Sequence, residues 1–331
     1  MTPTTFATAP EAPGAACRLP AALRAVAIAA CVPYITLKAA WIAGSRIGIP
    51  EGSVLLEHRG TMIVANGVTL LMDACVVLLA LLLTRPWGLR VRAWLLAAPI
   101  WVATGLLAPI MVGFPLQLAV AALGGSTSVE EASEAAFLDS WVFAVVYGGF
   151  IAQGLALGGL FVLYARARWS RVWRGRIWDL PSAATGPFMR AAVAAGALAA
   201  LGPAVLHVMW ALGADVGLPA ETASSGTGTA GFRVLEAVRV LFAALALGGA
   251  VSLAFRRFPG TRVRTALAAA WTGSAALGAW GGCLTLVALL PVSDGTGGVS
   301  ALPSLAYAVE MVSGALFACG IATLLRRRGT A

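Results

Sequence analysis

The chain has 331 residues, of which 60% are hydrophobic and only 11% charged, with a net charge of +9 and a mean hydropathy of +0.87. A soluble domain carries roughly a quarter charged residues, so this composition excludes a water-soluble globular protein. The positive charge does not point to nucleic acid, because nearly all of it is arginine placed beside apolar runs, where it sets orientation and meets anionic lipid.

Residues 1–19, rich in Thr, Ala and Pro, read as a disordered tail. Apolar runs then predict helices over 20–43, 61–84, 93–122, 138–164, 188–213, 232–255, 266–292 and 303–325. Each has the roughly 20 residues needed to cross a hydrocarbon core. None alternates apolar and polar residues, which excludes a transmembrane β-barrel, and helix is the open-ended element that satisfies its own backbone in lipid. The expected fold is an all-α integral membrane protein of about eight transmembrane helices.

The segments between the runs sort by charge. One set holds Arg18 and Arg24, Arg85 to Arg92, Arg166 to Arg176, Arg256 to Arg264, and Arg326 to Arg328. The other holds Glu51, Glu57, Glu130, Glu131, Glu134, Asp139, Asp215, Glu221 and Asp294. The positive-inside rule places both termini in the cytoplasm. The preference for Arg over Lys, beside abundant Ala and Gly, suggests a GC-rich bacterial genome and therefore a bacterial plasma membrane. In Arg166–Trp178, Trp169, Trp173 and Ile177 recur every fourth residue. This predicts a short interfacial helix, with Trp169 and Trp173 at headgroup depth and Arg171 and Arg174 on anionic lipid.

A duplication is the strongest pattern in the chain. Lys38, Trp41, Gly44, Gly48 and Pro50 have the same spacing as His207, Trp210, Gly213, Gly217 and Pro219. Gly88-Leu-Arg-Val-Arg92 matches Gly260-Thr-Arg-Val-Arg264, and Trp101 falls opposite Trp271. Tyr147, Gly154 and Arg166 fall opposite Tyr307, Gly314 and Arg326. The expected units are residues 20–178 and 179–328, two four-helix repeats. An even helix number makes both cross the same way, so a parallel pseudo-two-fold along the membrane normal relates them. The second copy, His207 to Pro219, resembles a motif of an uncharacterised family of small four-helix bacterial membrane proteins, and the first departs from it with Lys38 in place of His. The resemblance implies a four-helix unit and carries no activity.

Ionisable groups inside spans are costly and mark candidate sites. Lys38, Asn66, His207, Glu236, Arg239 and Glu310 all lie roughly 6–11 Å below the outer boundary, counting 1.5 Å per helical residue. Asp73 lies near the midplane and Gln153 deeper. The expectation is one connected network in the outer half of the bundle, pairing Glu236 with Arg239 or His207, and Lys38 with Glu310 or Asp73. Lys38 is the only lysine of the chain.

No paired metal-ligand spacing, phosphate-binding loop or nucleophile elbow is present, so no catalytic residue, metal or cofactor is assigned. Cys31, Cys75, Cys283 and Cys319 lie inside apolar runs as packing residues. Binding or transport of a small molecule or ion through a polar pocket fits best. The alternatives are a membrane-embedded enzyme acting on a lipid-linked or hydrophobic substrate, and a non-catalytic subunit paired with a membrane partner.

Overall fold

A computed structural model describes residues 15–127, 137–218, 229–289 and 301–329. Eight helices are long and apolar enough to cross a membrane: α1 (Ala15–Ile42), α2 (Arg59–Thr84), α3 (Ala93–Ala122), α4 (Ser140–Trp169), α5 (Pro187–Ala211), α6 (Ala230–Ala254), α7 (Val263–Leu289) and α8 (Ala301–Gly329). There is no β-strand among the described residues, only an isolated bridge between Arg176 and Arg262. The chain is an all-α, multi-pass membrane protein.

Each apolar run of the sequence became one helix, with shifts of a few residues at the ends. Two expectations are corrected. Residues 15–19, read as tail, are the first turn of α1. The Arg166–Trp178 segment is not a separate interfacial helix. Instead α4 continues through Trp169 into a 3₁₀ turn at Ser170–Trp173, and the chain then breaks at Gly175, whose φ is +88°. An arginine-rich face ends an apolar run on paper but does not end the helix. Residues 1–14 and the loop acids Glu130, Glu131, Glu134, Glu221 and Asp294 lie outside the described residues.

The ends of α1 and α5 show why the Trp-Gly-Gly spacing recurs. In both, a glycine in left-handed conformation closes the helix, Gly44 at φ +98° and Gly213 at +94°. Ser45 N donates to Ala40 O and Gly44 N to Trp41 O; Ala214 N donates to Met209 O and Gly213 N to Trp210 O. This is the Schellman pattern, which uses a left-handed glycine to satisfy the last carbonyls. The buried indole of each helix then caps the following loop. Trp41 Nε1 donates to Ile47 O at 2.8 Å, and Trp210 Nε1 to Val216 O at 3.0 Å.

Within the first half α1 packs on α2 and α4, and within the second α5 packs on α6 and α8. The helices α6, α7 and α8 approach closely through small residues. A Cβ at Gly273 would overlap the α6 backbone at Ala246, and one at Gly314 would overlap the α7 backbone at Gly278. Such contacts replace the hydrophobic drive that is missing between helices in lipid.

The halves meet chiefly along α3 and α7, with α3 also touching α6. Tryptophans cross this seam in both directions. Trp101 Nε1 donates to Ser274 Oγ at 3.1 Å, and Trp280 Nε1 to Leu106 O at 3.2 Å. Trp271 stacks on Phe161, ring centroids 5.5 Å apart, inside the core of the first half. Trp173 packs in turn on the core of the second half.

Candidate functional site

Two buried ionic clusters sit inside the bundle, one in each half. In the first, Lys38 Nζ donates to Asp73 Oδ2 at 2.8 Å, and the lysine is 1% exposed. Its ammonium lies 3.3 Å from the centre of the Tyr34 ring, one helical turn back along α1, a close cation–π contact. The Lys38 side chain therefore runs inward from near the end of α1 and not out to the headgroups. Phe150 of α4 packs edge-on against Tyr34, ring centroids 5.0 Å apart.

The second cluster is a closed ring of four side chains from α5, α6 and α8. His207 Nδ1 contacts Glu236 Oε2, and His207 Nε2 lies 2.9 Å from Glu310 Oε1. The latter is a close ion-pair contact and not an aligned hydrogen bond. Arg239 completes the ring, with Nε 3.5 Å from Glu236 Oε1 and Nη1 3.5 Å from Glu310 Oε2. Acid and base alternate around it, and each carboxylate faces His207 with one oxygen and Arg239 with the other. Aromatic rings wall it. Trp210 meets His207 edge-on at 5.1 Å, and Tyr307 lies parallel to the imidazole at 6.4 Å with the Arg239 guanidinium 5.0 Å from its centre.

The ring has a definite charge requirement. Two carboxylates and one guanidinium sum to −1, so neutrality in this low-dielectric setting calls for one further proton. A neutral imidazole has one N–H and one acceptor nitrogen, yet both nitrogens face carboxylate oxygens. A proton added at His207 or at one glutamate would balance the ring.

Arg239, 21% exposed, and the buried Glu310 are the ring members that face a cavity. This cavity, of about 180 Å³, lies at the seam between the halves and is lined also by Gln117 of α3, Tyr147 of α4 and Trp280 of α7. The rest of the wall is apolar, including Phe114, which stacks on Tyr147 at 4.8 Å, and Phe242. His207 and Glu236 are buried and do not line the cavity.

The site residues expected from the sequence are thus divided. His207, Glu236, Arg239 and Glu310 come together, but Lys38 belongs to the other cluster and pairs with Asp73, not Glu310. The single connected network is corrected to two, because α1 packs on α2 and α4 while α8 packs on α5 and α7. Asn66 joins neither, since its Nδ2 donates to Met62 O one turn back on its own helix. Trp169 and Trp173 pack on protein, Trp169 against Phe161 and Tyr164. Arg171 and Arg174 are exposed. Tyr34, Gln117 and Trp280 were not anticipated as site residues. Tyr34 alone had a readable signal, an aromatic ring one turn from an intramembrane lysine.

No known protein family, curated protein or solved structure matches the chain.

Proposed function

We propose that the chain binds a small, mostly apolar solute with an anionic head in the seam cavity, and carries it across the membrane together with a proton that the ring takes up. The observation supporting this reading is the joining of cavity and ring through Arg239 and Glu310. A ligand anion engaging the Arg239 guanidinium takes over part of the charge that balances Glu236 and Glu310, and a proton entering the ring restores the balance. Solute binding and proton uptake are thereby linked. The apolar wall accommodates the body of the ligand, the usual division of labour in small-molecule sites. The matched turns of α1 and α5, and the tryptophans crossing the seam both ways, support a duplicated 4+4 bundle whose two halves rock about this site.

Proton movement in proteoliposomes tests the proposal directly. Gradients of small amphipathic carboxylates should drive an internal pH change in liposomes holding the parent protein, reported by an entrapped pH dye. Arg239→Gln and Glu310→Gln should abolish it. Proton movement that persists unchanged in both variants, or is absent from the parent across a broad carboxylate series, would remove the transport reading.

The arginine asymmetry supports a plasma-membrane topology with both termini in the cytoplasm. In a background lacking native cysteines, Ile47→Cys in the exposed loop after α1 should react with an impermeant thiol reagent added to intact cells. Arg171→Cys should react only after permeabilisation. The reverse pattern would invert the topology and place the ring at the inner face.

A further inference from the structure

At the arginine-rich end of the seam, an open cleft of about 600 Å³ is lined by Arg166, Arg174, Arg176, Arg262 and Arg264, together with Ser170 and Trp173. It is built from both halves. Arg166 ends α4, Arg174 and Arg176 lie on the connector, and Arg262 and Arg264 flank the start of α7. Backbone hydrogen bonds zip these segments together: Ile177 N donates to Thr261 O at 2.9 Å, Trp178 N to Pro259 O at 3.2 Å, and Val263 N to Gly175 O at 3.1 Å. Ile177, fully buried behind the connector, anchors it in place.

The electrostatics of the cleft are one-sided. No acidic residue lines it. Asp179, which is near in sequence, uses Oδ2 to accept the N–H of Arg176. The Arg176 guanidinium donates to Gly260 O at 3.1 Å. Those of Arg166, Arg174, Arg262 and Arg264 engage no other protein group among the described residues. Beside the cleft, Arg328 donates through Nη2 to Arg174 O at 3.1 Å and keeps a buried Nη1 without a hydrogen-bond partner. Five guanidinium groups held in one concavity by a backbone zipper repel one another, and an anion with several oxygens removes that repulsion through forked hydrogen bonds.

We infer that this cleft is a phosphate-binding site, taking either the headgroup of a polyanionic phospholipid or a soluble di- or polyphosphate, and that its occupant clamps the two halves at this end. The inference is independent of solute transport at the opposite side of the seam. Its position at the ends of α4 and α7 brings lipid phosphate within reach, and its opening to solvent admits soluble phosphate as well.

Thermal melting of the full chain in a zwitterionic detergent separates the two sources. Inorganic pyrophosphate and, separately, cardiolipin mixed into phosphatidylcholine micelles are titrated against the parent, with native mass spectrometry counting retained lipid. Saturable stabilisation by pyrophosphate assigns a soluble phosphate. Saturable stabilisation and retention of cardiolipin, with pyrophosphate inert, assigns a headgroup. In either case Arg262→Gln/Arg264→Gln should weaken binding roughly tenfold or more. Arg90→Gln/Arg257→Gln removes the same charge outside the cleft and should leave binding unchanged. Equal weakening in both double variants would mean a diffuse field and overturn the site, as would the absence of saturable binding by either probe. Competition between pyrophosphate and cardiolipin on the parent needs no variant and places both in one site.

Discussion

His207→Ala is expected to be the most destabilising single change in the bundle. It removes the base between Glu236 and Glu310 and leaves both carboxylates buried with Arg239 alone to balance them. Stranding a buried charge in this way costs about 3–5 kcal/mol. Glu236→Gln should cost less, because Arg239 and Glu310 then neutralise each other and His207 is free to stay uncharged. The double variant should therefore be more stable than His207→Ala alone, since the excess negative charge is gone. Thermal melting of the four proteins in detergent closes the cycle. Residues in one network deviate from additivity by about 0.5–3 kcal/mol. Additive effects, or a His207→Ala protein melting like the parent, would mean that the ring does not act as a unit.

How much of this was legible in the sequence depends on the scale. The eight helices were, because a membrane span needs a long apolar run and arginine marks its end. The joined Glu236, Arg239 and His207 were partly legible, since Glu236 and Arg239 lie three residues apart on one helix and therefore on one face. The partner of Lys38 was narrowed only to Glu310 or Asp73, for a geometric reason. Counting residues from a helix end places Cα atoms, whereas Cβ bonds tilt toward the helix N-terminus. The N-terminus of α1 lies at the arginine-rich end, so Lys38 leans inward. The N-terminus of α2 lies at the opposite end, so Asp73 leans outward. The two side chains meet although their backbones sit at different depths.

The seam was the least legible part. Trp101 and Trp271 could be matched in the sequence as equivalents, but nothing in their spacing said that each would insert into the other half. The cavity depends on that docking, because its wall draws Gln117 and Tyr147 from one half and Arg239, Trp280 and Glu310 from the other. If the halves are copies, as proposed above, their departures are equally informative. Where the second half has Glu236, the first has Asn66, and its acid stands seven residues later at Asp73, two turns along the same helix face. The position that the sequence spacing matches to Glu310 holds Phe150, which packs on Tyr34. The first half thus has a buried ion pair away from the seam cavity, whereas two members of the second half's ring line it.

That contrast gives a second large effect and separates structural from functional charge. Lys38→Met should destabilise by about 3 kcal/mol or more, because Asp73 is left buried without its ammonium. Asp73→Leu should do the same by stranding Lys38 against Tyr34. Combining the two replaces a buried ion pair with apolar groups of similar size, which is often neutral or stabilising. Lys38→Met/Asp73→Leu should therefore melt close to the parent, a reversal that no snorkelling lysine would produce. If Lys38 were solvated at the headgroups, Lys38→Met would be nearly silent and the double variant would keep the full penalty of Asp73→Leu. The first-half pair has no edge on the cavity, so the rescued double variant should also retain proton-linked flux, whereas His207→Ala/Glu236→Gln should not. Loss of flux in a well-folded Lys38→Met/Asp73→Leu protein would make the two clusters parts of one transport path.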